Sequence, residues 1–147
     1  MRVLISTAEV GKGGQEPIDK LKQYLTDRGI EWDYVEFRGN LHHPANFTTR
    51  LAQFYKAAKR CDVAICFSFP SYFYGALLKI PVVYYCFEPL FYITRERFMS
   101  RVILGLEKMI IPEKTFPIVN DSSNELRFKE VYGIAPLIVP YGIDTEF

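Results

Sequence analysis

The side chains of this 147-residue chain that could do chemistry gather in a few short segments. Gly11-Lys12-Gly13-Gly14 follows a first apolar run and precedes a helical stripe. Glycines let backbone approach a ligand closely, and the N-terminus of the next helix favours an anion such as a phosphate. The dinucleotide fingerprint is not met, because the residue three after Gly13 is Glu16 rather than Gly. The P-loop pattern is not met either, because Lys12 is not followed by Ser or Thr. A plain turn between strand and helix accounts for the same residues. Glu88, between Phe87 and Pro89 just past an apolar strand, suits a base or an acceptor for substrate hydroxyls. It equally suits an acid that complements the dipole of the next helix. Asn120 and Asp121 precede a further helix, where Asp121, Ser122 and Ser123 read first as caps.

Aromatic residues form the second group. They make up 16% of the chain, and Phe67, Phe69, Tyr72, Phe73, Tyr74, Tyr84, Tyr85, Phe87, Phe91 and Tyr92 fall close together. Strand positions such as Tyr84 belong to a core. Phe69, Tyr72 and Tyr74 fall in a loop or helix start, where they suit stacking on a sugar or resting on a membrane interface. Arg95, Arg97 and Arg101 follow on the next helix and would meet anionic headgroups, or simply form a solvated face. His42 and His43 have no partners at metal-ligand spacing, so no metal site is expected.

These segments need a scaffold, and the apolar pattern supplies one. Strands are expected at 2–6, 31–37, 63–67, 81–86, 116–120 and 137–139. Helices are expected from Pro17 to Gly29, through Phe47, Leu51, Phe54 and Ala58, over 72–79, over 90–109 and over 123–132. The helix over 90–109 carries Phe98, Val102, Leu106 and Met109 on one face. Alternating strands and helices predict an α/β fold: a doubly wound, mostly parallel sheet with helices on both faces, Rossmann-like. Ligands of such sheets bind beyond the carboxyl ends of the strands. That rule selects the loops 7–15, 68–71, 87–89 and 120–122.

Composition narrows the partners. Lys and Arg total 18 against 17 Asp and Glu, a net charge of +1 that argues against nucleic acid. Cys61, Cys66 and Cys86 show no CxxC spacing and read as thiols of an intracellular protein. The opening Met-Arg-Val-Leu-Ile-Ser turns polar at once and reads as a strand rather than a signal peptide. No apolar run reaches 18 residues, so a membrane span is not expected, while surface attachment stays open.

Several segments, in order along the chain, are similar to the N-terminal domain of family 4 glycosyltransferases of the GT-B fold. Gly13-Gly14-Gln15-Glu16 with Leu21, Leu25 and Arg28-Gly29-Ile30-Glu31 resembles that family's Gly-Gly-x-Glu opening and the turn into its second strand. Cys61-Asp62-Val63 resembles the start of its next strand. Ile80-Pro81-Val82-Val83-Tyr84-Tyr85-Cys86-Phe87-Glu88-Pro89 resembles its Pro-Val-Val strand, in the Tyr-Cys-His-Glu-Pro version of enzymes acting on lipid-linked acceptors. Asn120-Asp121 aligns with an Asn-Ser pair. Val139-Pro140-Tyr141-Gly142-Ile143-Asp144 is similar to the Ile-Pro-Asn-Gly-Val-Asp that begins the hinge. Phe87 stands where the family has His, and Asp121 where it has Ser, which leaves Glu88 as the nearest polar substitute.

The resemblance implies an acceptor-side domain over 1–139, the start of a hinge over 140–147, and a donor-binding C-terminal domain absent from this sequence. A shortened chain is expected, a split gene with a partner chain being the other case. The implied activity is retaining, metal-independent transfer of a sugar from a nucleotide diphosphate sugar to a hydroxyl acceptor, in one version lipid-linked. No cofactor is implied beyond that co-substrate. Expected site residues are Glu88 as a catalytic group and Gly13, Gly14, Glu16, Phe69, Tyr72, Phe87, Asn120 and Asp121 as substrate contacts. The expected location is cytoplasmic, in one reading peripheral at the inner membrane face. One rival is a non-catalytic subunit that holds the acceptor or the membrane through its aromatic loops. Another is a nucleotide-binding oxidoreductase with Glu36 on a ribose, which the missing third glycine disfavours.

Overall fold

A computed structural model describes residues 1–8, 12–38, 44–87 and 98–140. The elements run β1 (Arg2–Ala8), α1 (Lys12–Asp27), β2 (Glu31–Phe37), α2 (Pro44–Ala58), β3 (Val63–Phe67) and α3 (Ser71–Gly75). They continue with β4 (Val82–Cys86), α4 (Phe98–Lys114), β5 (Phe116–Val119), α5 (Ser122–Tyr132) and β6 (Leu137–Ile138). Six strands form one sheet in the order β2-β1-β3-β4-β5-β6, and every neighbouring pair is parallel. The fold is the expected Rossmann-like α/β architecture, with the sheet parallel throughout.

The strand sequences suit this placement. β1 is central, and its run from Val3 to Thr7 is buried on both faces, as parallel strands between helix layers require. Leu4, Ala64, Cys66, Val82, Tyr84, Cys86 and Val119 face a large core completed by Phe54 of α2, Tyr72 of α3, Ile111 of α4 and Phe128 of α5. Val3, Ile5 and Phe67 face the other way, against Ile18 and Leu25 of α1. Four described helices therefore cover one face and α1 alone the other.

The part of that second face that no described helix covers shows in the register. Phe67 pairs with Tyr85, Tyr85 with Ile118, and Ile118 with Leu137, so the four side chains form one row. Exposure climbs along it from 1% at Phe67, through half-buried Tyr85 and Ile118, to 65% at Leu137. The next row ends the same way, with Phe116 68% exposed beside Val83. The far strand is held by more than its two-residue ladder. The Val139 N–H donates to the Val119 carbonyl at 2.8 Å, and the Tyr85 hydroxyl donates to the Val139 carbonyl at 2.8 Å.

Local chemistry sets the element ends. Gly29 closes α1 with φ +64°, its N–H donating to Thr26 at 3.0 Å and that of Ile30 to Leu25 at 2.9 Å. That paired closure needs a left-handed residue. α3 stops at Gly75, earlier than the expected helix over 72–79. It lies so close to β3 that a Cβ on Gly75 would come within 2.7 Å of the Cys66 Sγ. α1 starts at Lys12, five residues before Pro17, so Gly13 and Gly14 are helical rather than the loop the sequence predicts. Their N–H groups belong to a first turn that has no intrahelical acceptors, and Pro17 forgoes only the bond to the Gly13 carbonyl.

The apolar stripe of α4 is real but turned outward. Val102, Leu106 and Met109 are exposed, while Glu107 and Ile111 are buried. The Glu107 carboxyl accepts from the hydroxyls of Tyr72 and Tyr132, the latter at 3.0 Å. Burial lifts it above the usual carboxylate range, the two phenol hydrogen bonds opposing that shift.

Candidate functional site

The crossover from β1 runs one way, to β2, and that from β3 the other way, to β4. Such a reversal opens a crevice at the carboxyl ends of the two strands. Here the crevice is floored by hydroxyls. Thr7 Oγ1 and Ser68 Oγ lie 3.2 Å apart, and Ser68 Oγ accepts from the Ala8 N–H at 3.2 Å. Ser71 Oγ, fully buried, faces the carbonyls of Ser6 at 3.2 Å and Ser68 at 2.9 Å, as well as that of Phe67. Among the described residues the buried Ser6 Oγ has no hydrogen-bond partner.

Ser68 has φ +45°, the single non-glycine residue with positive φ among those described. A serine held there stores backbone strain, which accumulates at ligand-binding positions. The peptide bond Phe69–Pro70 is cis and carries the chain from Ser68 into α3. The first turn of α1, with Gly13 and Gly14, follows β1 at the same rim.

Asn120 and Asp121 sit at this rim too, after β5. Asp121 is the N-cap of α5, its carboxylate accepting from the Asn124 N–H at 2.8 Å. The side-chain amide of Asn124 donates to Asn120 Oδ1 at 2.8 Å and to Asp121 Oδ2 at 3.0 Å. Asn124 Oδ1 is buried and, among the described residues, unpartnered.

The expected contacts divide accordingly. Gly13, Gly14, Asn120 and Asp121 share the carboxyl rim with Ser68. Glu16 lies one turn further along α1, exposed and paired with Lys20 at 3.2 Å. Phe69 is half-buried, its ring 6.2 Å from Tyr72 and 6.3 Å from Phe73. Tyr72 is a correction. It is 1% exposed, stacked on Tyr84 at 4.1 Å and bound to Glu107, because α3 turns that side of its single turn into the core. Tyr74 also packs inward, 6.2 Å from Phe37. Phe87 stacks on Phe67 at 5.6 Å, an apolar contact where the resemblance has an imidazole. Glu88, Arg95, Arg97, His42 and His43 lie outside the described residues, as does the Arg101 side chain.

Sequence reasoning selected the loops but missed Thr7, Ser68 and Asn124 as members of the site. Thr7 and Ser68 are 61 positions apart and become neighbours only once β3 is known to lie beside β1. Among the described residues no three metal-ligating side chains lie together, and no helix is long and apolar enough to cross a membrane. Burial pushes the Cys66 thiol up, and that of Cys61 to about 11, so neither thiol is primed as a nucleophile. No protein-family model matches the chain, and no curated protein does.

Proposed function

We propose that the chain is the acceptor-side lobe of a retaining glycosyltransferase that moves a sugar from a nucleotide diphosphate sugar to a hydroxyl acceptor. The observation that carries this reading is the crevice between β1 and β3. Strained Ser68, its partner Thr7 and the glycine-bearing first turn of α1, whose N–H groups have no acceptors within the helix, meet at one rim. A helix start of that kind suits a diphosphate, and hydroxyls suit a sugar. The order of segments resembling family 4 enzymes, from Gly13-Gly14 to Val139-Pro140, supports the same reading. In this reading the first-turn N–H groups stabilise charge on the departing diphosphate when a donor-binding lobe, in cis or on a partner chain, closes over them. Asn120 and Glu88 would meet the acceptor.

The test combines the chain with its donor-binding lobe and follows label from a nucleotide diphosphate sugar into a hydroxyl acceptor. Gly13→Pro, tolerated in a first helical turn, deletes one donor and should cut transfer about 100-fold. Ser68→Ala should cut it less. Undiminished transfer in both would remove the crevice from the reaction. A second reading, a non-catalytic subunit lying on a membrane, is favoured by the outward stripe of Val102, Leu106 and Met109 on α4. Co-sedimentation with anionic vesicles, lost on Leu106→Asp, would support that reading instead.

A further inference from the structure

At the amino rim, opposite the crevice, lies a cavity of about 310 Å³ that none of the foregoing uses. Its lining is Tyr55, Ala58 and Lys59 from the end of α2, and Leu77 to Ile80 from the segment between α3 and β4. We propose that this cavity is a binding site for a small amphiphilic carboxylate, with the apolar tail inside and the carboxylate between Lys59 and Lys79.

Three observations carry it. The lining residues include two lysines and a tyrosine but no acidic residue, so they attract one sign of charge. Among the described residues neither Lys59 nor Lys79 forms an ion pair, whereas nearby Arg60 is held by Asp33 at 3.3 Å. The remaining lining is apolar, and Leu77, one of its residues, stands 52% exposed, an aliphatic side chain left in water. Both walls are set before any ligand arrives. The Lys59 N–H donates to Tyr55 at 3.2 Å, that of Leu77 to Tyr74 at 3.2 Å, and that of Leu78 to Gly75 at 2.8 Å. The Tyr55 ring is fixed edge-on to Phe54 at 5.5 Å. The size matches the lower end of ligand pockets, which favours a short chain over a whole lipid. Lysine stems lie along apolar surface while their heads stay at its edge, the arrangement a carboxylate with an alkyl tail needs.

The experiment is calorimetric titration of the full chain with octanoate, octanol and octylamine. Octanoate should bind tightest and octylamine not at all, and added salt should weaken octanoate alone. The double variant Lys59→Met, Lys79→Met should weaken octanoate about tenfold and leave octanol unchanged. Leu77→Asp, a change at an exposed position, should abolish octanoate binding with thermal unfolding unaltered. Octanoate no tighter than octanol, an unaffected double variant, or no octanoate binding at millimolar concentration would each overturn the proposal. None of these readouts depends on sugar transfer.

Discussion

The two faces of the sheet are built from the same strands and end differently. On the face under α2 to α5, aromatic rings pack ring on ring: Tyr72 on Tyr84 at 4.1 Å, Phe128 on Tyr132 at 4.4 Å. A carboxyl group is sealed among them. On the face under α1, equally apolar residues grade from buried to open within four strands, as Phe67 and Leu137 show. Residue type is alike on both sides. The helix layer above each strand decides the environment, and the right-handed crossover rule decides the layer. α1 is the one described crossover running towards β2, so it alone lies on its side.

The contrast breaks most sharply under mutation. Phe128→Ala, in the covered core, should cost about 4 kcal/mol in urea unfolding. Phe116→Ala, on the open face, should stay within about 0.5 kcal/mol. Equal losses would mean that the open face is covered in solution. Next in size is Glu107→Ala, at about 3 kcal/mol, because it leaves a cavity and two buried phenols without an acceptor. Glu107→Gln keeps an acceptor and should cost less.

The same carboxyl adds a pH dependence. Its folded value is raised above the ordinary 4.5 by burial, so the folded state holds that proton more tightly than the unfolded chain. The stability it contributes is complete below about pH 4.5 and is lost as the pH rises through the folded value. The advantage of the native protein over Glu107→Gln should therefore shrink as the pH rises above about 4.5, followed by denaturant midpoints. A flat difference would mean the carboxyl is not buried. The smallest effect belongs to Asp121→Ala, which removes the cap of α5 and should cost about 1 kcal/mol.

Much of the architecture was legible because apolar runs of strand length alternate with helical stripes. β2 falls on the expected residues, and β3 and the helix over Phe54 and Ala58 fall where expected too. What was not legible has physical causes. The stripe Val102, Leu106 and Met109 has sound periodicity, but periodicity marks a face without saying what lies opposite it. The acid on the other side of that helix, Glu107, went inside because two tyrosines from α3 and α5 met it there. Gly13 and Gly14 read as a loop because glycine is a poor helix former, although a first turn asks little of them. Tyr72 read as a substrate contact because it falls at a helix start, and the tight approach of α3 to β3 at Gly75 turned it inward.

The phenol of Tyr85 joins the carbonyl of Val139 to a strand two places away in the sheet. A pull on the chain beyond Pro140 therefore does not load the two-residue β6 alone. Part of the force passes through the tyrosine ring into β4, whose last residue leads to Phe87 at the carboxyl rim. A displacement of the backbone at Val139 would thus be felt mechanically at the crevice, with Tyr85→Phe as the cut that severs the linkage.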